Sequence, residues 1–196
     1  MLAPDRQPSW LILRAQSGDR KAWDALLTFT QPWLLRYLRR LLGRKAGAAD
    51  LAQETSLIIY RKLYLLQDPR AYRAWVYRIA TREAHRRLRR RVNHASLDQW
   101  TIDDGVPLSA AVSADTAGLE GVIRECAASE TQDDDAAEIF EAISKISSNN
   151  RAVLILHYFE GLSLRDVANI LGIPTGTAKS RLSNALARMR DALAGQ

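Results

Sequence analysis

The sequence predicts an all-α chain: two small helical domains joined by a flexible acidic linker. Three observations carry this. Apolar residues recur at spacings of three and four in two separate stretches, and no stretch alternates with the period of two that a sheet requires. Charge is also segregated. Residues 1–92 hold 20 Lys/Arg against 7 Asp/Glu, residues 93–141 hold 1 against 12, and residues 142–196 hold 7 against 3. Basic, acidic, basic is the layout of two polyanion-binding parts on either side of a connector.

In the first basic block, Trp10-Leu11-Ile12-Leu13 opens a helix, and Ala22, Trp23, Leu26 and Leu27 continue one buried face. Trp33, Leu34, Tyr37, Leu38, Leu41 and Leu42 repeat the pattern until Gly43 and Gly47 break it. A third helix starts near Ala48-Ala49-Asp50, with an acid at the positive end of the helix dipole, and runs towards Leu66. Asp68-Pro69 marks a turn, and a fourth helix spans about Ala71–Val92. From Asn93 to about Thr131 the composition is that of a linker, with room for a short helix around Leu119–Cys126.

Order returns at Ala136. Ile139, Phe140, Ile143 and Ile146 share a face, Ser147–Asn150 reads as a turn, and Arg151–Phe159 reads as a helix ended by Gly161. Ser163-Leu-Arg165-Asp166 has the capping-box pattern and opens a short helix. Gly172 supplies a left-handed stop, and Pro174-Thr175 starts the last helix, which buries Ala178, Leu182, Ala185, Leu186, Met189 and Leu193. The expected domains are therefore residues 10–92 and 135–194, with 93–134 as linker.

Composition closes off several classes. The chain has 196 residues, 47% of them apolar, which excludes wholesale disorder. No apolar run nears the ~18 residues of a membrane span, and the apolar stretch near the N-terminus is too short for a signal peptide. A cytoplasmic protein that does not insert into membranes is expected. Cys126 is the single cysteine, so no internal disulfide or thiolate cluster can form.

Ser163–Leu171, the turn at Gly172-Ile173 and Pro174–Arg190 form a helix-turn-helix, whose second helix enters the DNA major groove in proteins that use it. Thr177, Ser180, Arg181, Asn184 and Arg188 point away from its apolar stripe, able to reach base edges or phosphates. Arg165, Thr175 and Lys179 complete the candidate set. A plain helical hairpin with a wet polar side is the competing reading.

On the fourth helix, Arg78, Arg82, Arg86 and Arg89 share a face, and Tyr72, Trp75 and Tyr77 lie near its start. Arginines for phosphates beside aromatics for stacking suit single-stranded nucleic acid. For the individual aromatics, a place in the core is the better reading.

Three enzyme-like signals fail. In Gly172-Ile-Pro-Thr-Gly176-Thr-Ala-Lys179-Ser180 the lysine does not follow the second glycine and no strand precedes the loop. His85, His94 and His157 are too scattered for a metal pair, and Asp133-Asp134-Asp135 reads as a solvated acidic run. No catalytic residues, metal or cofactor are expected.

Two stretches resemble a known family. Asp50-Leu-Ala-Gln53-Glu54-Thr55 with Tyr72-Arg-Ala-Trp75-Val-Tyr-Arg-Ile-Ala80 resembles region 2 of bacterial sigma factors of the extracytoplasmic-function (ECF) group. Phe159-Glu-Gly161-Leu-Ser163 with Ile170-Leu-Gly172-Ile-Pro174-Thr-Gly176-Thr-Ala-Lys179-Ser-Arg181-Leu182 resembles their region 4. The resemblance implies a dissociable RNA polymerase subunit that directs promoter choice and melting. Asp50, Gln53 and Glu54 would bind core polymerase, the helix from Tyr72 to Arg91 would read and open the −10 element, and Thr177–Arg188 would read the −35 element. An anti-sigma factor is the implied regulator.

The chain departs from the family at Ser56, where a large aromatic is usual, at Thr81-Arg82 and Arg86 on the −10 helix, and at Ala178, where Val is usual. The competing function is an autonomous, LuxR-like helix-turn-helix regulator, but no dimer seam is visible to read two half-sites.

Overall fold

The computed structural model describes residues 9–43, 47–94, 116–128 and 134–194; all its regular elements are helical, with no strand among the described residues. The first bundle comprises α1 (Ser9–Gln16), α2 (Arg20–Leu42), α3 (Ala48–Lys62) and α4 (Tyr72–His94), the last two joined by 3₁₀ turns at Leu63–Leu65 and Pro69–Ala71. Asp19 caps α2, its carboxylate accepting from the Lys21 and Ala22 amides at 2.9 and 3.2 Å. Gly43 then ends the helix at a positive φ of 77° that a side chain would resist.

α2 is the spine. Leu26, Trp33, Leu34, Tyr37, Leu38 and Leu41 are buried along it, against α1, α3 and α4. The Trp33 and Tyr37 rings pack edge-on to Tyr77 of α4, at 5.1 and 4.9 Å between centroids. The Tyr37 hydroxyl meets the Thr81 hydroxyl at 2.6 Å, so these two buried hydroxyls satisfy each other.

The C-terminal unit holds α6 (Asp134–Ser144), α7 (Ser148–Leu154), a π-helical turn (Ile155–Phe159), α8 (Leu164–Leu171) and α9 (Thr175–Ala194). The expected turn at Ser147–Asn150 is corrected here: α7 begins at Ser148, and only Ser147 stands outside it as N-cap. Arg151, buried, fastens α7 to two helix ends. Its guanidinium donates to the Leu41 carbonyl at 3.0 Å and to those of Ser144 and Ile146 at 2.5 and 2.7 Å.

The segment expected to be a linker contains α5 (Thr116–Ala128), which extends beyond the short helix allowed for there. It packs on the π turn, α6 and α9 with Ile123 fully buried. Residues 95–115 and 129–133, Asp133 included, lie outside the described residues. The two units are not held apart: one continuous apolar cluster runs from Leu11 to Met189.

Candidate nucleic-acid and docking surfaces

The helix-turn-helix is built as its sequence requires. The Ser163 hydroxyl accepts from the Asp166 amide at 3.2 Å and donates to its carboxylate at 2.6 Å, fixing the start of α8. Gly172 sits in the left-handed region at φ 68°, ψ 38°, turning the chain into α9. Ala178, Leu182, Ala185, Leu186 and Met189 are buried, which aims the opposite face outward. On that side Arg165, Thr175, Lys179, Ser180 and Arg188 are exposed, while Thr177, Arg181 and Asn184 are half-buried. The Ser180 hydroxyl donates to the Thr177 carbonyl at 3.0 Å.

α4 divides its candidates. Arg78, Arg82, Arg86 and Arg89 are exposed on it, with Arg86 paired to Glu83 at 2.6 Å. Tyr72 and Tyr77 are not on the surface; both are buried in the core, and in this arrangement neither ring can stack on a base. The reason is packing: Tyr72 hydrogen-bonds Thr30 at 2.8 Å, and Tyr77 fills the space beside Trp33 and Tyr37. Burial pushes the Tyr72 phenol up to about 12. Tyr77 is raised as well, by burial first and then by the Glu160 carboxylate beside it. Trp75 is half-buried, 6.3 Å from Tyr72, and is the most accessible of the three rings.

On α3, Asp50, Gln53 and Glu54 are exposed on one side of the helix. Arg87 of α4 reaches across to both acids, 3.5 Å from the Asp50 carboxylate and 3.8 Å from that of Glu54. Beside them is a feature that the sequence analysis missed. An open groove of about 1040 Å³ runs between α1–α2 and α3, lined by Trp23, Leu27, Gln53, Leu57, Tyr60 and Tyr64. Leu57, Tyr60 and Tyr64 are 54%, 61% and 72% exposed, although Tyr60 packs edge-on to Trp23 at 4.8 Å. The signal was available. Gln53, Leu57, Tyr60 and Tyr64 recur at helical spacing on the side of the helix away from the buried Leu51, Thr55 and Ile59.

Among the described residues no group of three His, Cys, Asp or Glu side chains is placed to hold a metal ion, and no helix is long and apolar enough to cross a membrane. His85 has its basicity lowered, by burial first and then by the Arg89 and Arg181 charges; its Nε2 lies 3.4 Å from the Ser148 carbonyl.

Comparison with known proteins matches both halves. The family model for sigma-70 region 2 matches residues 26–93, and that for sigma-70, region 4 matches residues 136–189. The chain is 31% identical over 161 residues to the ECF RNA polymerase sigma factor SigL of Mycobacterium tuberculosis, covering 80% of each protein. It is 29% identical to the RNA polymerase sigma-H factor of Pseudomonas aeruginosa, covering 91% of this chain and 90% of that protein. In fold it is similar to the sigma factor RpoE of Bartonella quintana, solved in complex with the anti-sigma factor NepR. There the TM-score is 0.65 at 24% identity, over 89% of this chain and 98% of the other. CnrH, solved in complex with the cytosolic domain of CnrY, is similar at a TM-score of 0.64 and 20% identity, over 96% and 97% of the two chains.

Proposed function

The chain belongs to the sigma-70 family as an ECF RNA polymerase sigma factor directing transcription initiation, and we propose that it divides this work between three surfaces. Core RNA polymerase docks on α3, through Asp50, Gln53 and Glu54 and the apolar groove beside them. The −10 element is read and opened along α4. Its guanidinium groups on Arg78, Arg82, Arg86 and Arg89 meet phosphates, and Trp75 is the ring best placed to meet an unstacked base. The −35 element is read by α9 in the major groove, with Thr177, Ser180, Arg181, Asn184 and Arg188 towards the bases and Arg165, Thr175 and Lys179 towards the backbone.

The observation that carries this reading is the pairing of regions 2 and 4, in that order, in a single chain of this length. A free-standing regulator would need only the second. An anti-sigma factor is the inhibitory partner we expect. Two proteins of similar fold are solved in complexes, one of them with a named anti-sigma factor. The protein works by binding, not by catalysis, and acts in the cytoplasm where polymerase is.

Co-elution with purified core polymerase, followed by promoter-directed transcription from a genomic template library, tests the reading. Transcripts starting at a shared pair of upstream elements are expected. Sequence-specific binding by the isolated chain at physiological salt, with no polymerase association, would favour the autonomous regulator instead.

A further inference from the structure

Where the two units meet, one small cavity collects cations and no anion. It measures about 110 Å³ and is lined by Arg78, Arg82 and His85 of α4, Asn149 of α7 and Arg181 of α9, with the end of α8 completing its wall. Among the described residues, no carboxylate lines it. Its volume is about four times the roughly 30 Å³ that one water occupies in the liquid, which is room for a single tetrahedral oxyanion.

The charge is not balanced from within. Arg78 donates through Nε to the Ile170 carbonyl at 3.3 Å and through Nη2 to the Asn169 carbonyl at 2.6 Å, at the C-terminal end of α8. A helix C-terminus carries about half a negative charge, so it offsets only part of one guanidinium out of three. The same two bonds fix the plane of Arg78, so its remaining N–H donors are already ordered. His85 registers the field. Burial first, and then the Arg89 and Arg181 charges, hold its imidazole below its ordinary basicity, while Nε2 lies 3.4 Å from the Ser148 carbonyl of α7. Like charges crowded into a partly dry space repel one another, and an oxyanion among them removes that cost.

We infer that this cavity is an anion site: it binds one tetrahedral oxyanion of the phosphate class, held by the guanidinium groups of Arg78, Arg82 and Arg181 and the Asn149 amide. Arginine suits the task, because its planar fork matches two phosphate oxygens at once. A carboxylate offers acceptors at one end only, whereas a tetrahedral oxyanion presents them towards α4, α7 and α9 together. Free phosphate and the terminal phosphate of a nucleotide share this chemistry. The inference is independent of which promoter element each helix reads.

The test titrates the full chain by calorimetry with inorganic phosphate and, separately, with ATP, at an ionic strength held constant with sodium chloride. Arg82→Gln removes one guanidinium at an exposed position, Asn149→Asp places a carboxylate in the cavity, and Arg39→Gln removes an exposed arginine elsewhere. Phosphate should bind with one-to-one stoichiometry. Arg82→Gln and Asn149→Asp should each weaken binding about tenfold or more, with helical content retained by circular dichroism. Arg39→Gln should stay within about twofold of wild type. ATP that binds at least as tightly as phosphate, and fails in the same variants, identifies a nucleotide as the source. ATP that binds more weakly, or not at all, identifies the free anion.

The His85 ring gives a second readout, followed by NMR with sulfate, a tetrahedral dianion whose charge is constant through the titration. Sulfate should raise the His85 midpoint by about one pH unit relative to chloride, because an adjacent anion favours the imidazolium. Absence of saturable phosphate or ATP binding would overturn the proposal. So would binding that Arg39→Gln weakens as much as the cavity variants do, or a His85 midpoint indifferent to sulfate.

Discussion

Arg87 and Asp50 stand 3.5 Å apart across the α3–α4 contact, so the acidic face proposed for docking is already in partial contact with a cation of its own chain. The Asp50 carboxylate remains largely open to solvent, which keeps this pair weak, at about 0–1 kcal/mol. Its effect is to orient. Arg87 draws Asp50 and Glu54 towards α4, so a basic partner meets two carboxylates already side by side.

Reversing both acids, Asp50→Lys with Glu54→Lys, should therefore abolish co-elution with core polymerase. Placing two lysines beside Arg87 adds repulsion at an exposed site, so a loss of roughly 1 kcal/mol in folding stability is expected, with helical content unchanged. Normal assembly of the folded double variant would show that polymerase docks elsewhere.

The groove beside these acids gives an independent check. Tyr60 is mostly exposed and packs edge-on to the Trp23 ring, so Tyr60→Ala should cost folding only about 0.5–1.5 kcal/mol. Buried aromatic anchors contribute about 2 kcal/mol or more to an interface, so the same change should weaken core-polymerase affinity at least tenfold. Affinity by titration with labelled core enzyme, alongside urea melts, separates the two effects. A variant that melts early yet binds normally would make Tyr60 structural.

How much of this was legible in the sequence depends on the range of the interaction. The helix-turn-helix was, because Ser163, Asp166 and Gly172 act within a few residues of themselves. The start of α7 reads as a turn in the sequence, since Ser148, Asn149 and Asn150 are turn formers that here occupy a first helical turn instead. For α5 the sequence supports only a short helix, because Gly118 and Gly121 weaken the local signal, while Ile123 is buried by distant parts of the chain. Glu160 could not have been read at all. Its partners Arg40, Arg73 and Tyr77 lie at least 83 residues away, and only the packed fold brings them to it.

The tyrosine core makes stability fall in alkali. An unfolded tyrosine ionises near pH 10, whereas burial pushes Tyr72 up to about 12 and holds Tyr37 and Tyr77 above their ordinary value. Between about pH 10 and 12 the unfolded chain releases phenolic protons that the folded chain keeps, so stability drops as pH rises and is undiminished by this route below pH 10. Tyr72 alone accounts for about 3 kcal/mol across that window. Urea midpoints should fall steeply from pH 9.5 to 11.5, and less steeply in Tyr72→Phe. Parallel curves for the two proteins would show that the Tyr72 phenol ionises as freely when folded.

Thr81 departs from the family pattern and carries a structural load. Its hydroxyl meets the Tyr37 hydroxyl at 2.6 Å and donates to the Tyr77 carbonyl at 2.7 Å, all within the core. Thr81→Val keeps the shape and strands the Tyr37 hydroxyl, which should cost about 1–3 kcal/mol in urea denaturation. Promoter choice should not change, since no DNA-facing group is removed. A shift in the preferred −10 sequence at unchanged stability would reassign Thr81 to the DNA surface.

Arg181 separates reading from packing on α9. It is half-buried, next to the core residue Leu182 and about one turn after Ala178, and faces the cavity it shares with Arg78, Arg82 and His85. A bidentate arginine–guanine contact is worth about 1–3 kcal/mol of discrimination, so Arg181→Ala should lower −35-dependent transcription about tenfold or more. Core-polymerase assembly should be almost unaffected, because the proposed docking surface lies on α3. If Arg181 serves the fold alone, the variant should instead melt earlier and lose activity on every promoter alike. Paired templates with intact and scrambled −35 elements, read beside thermal melts, distinguish these results. A tenfold loss confined to the intact element assigns Arg181 to the DNA; equal loss on both assigns it to the packing between α9 and α4.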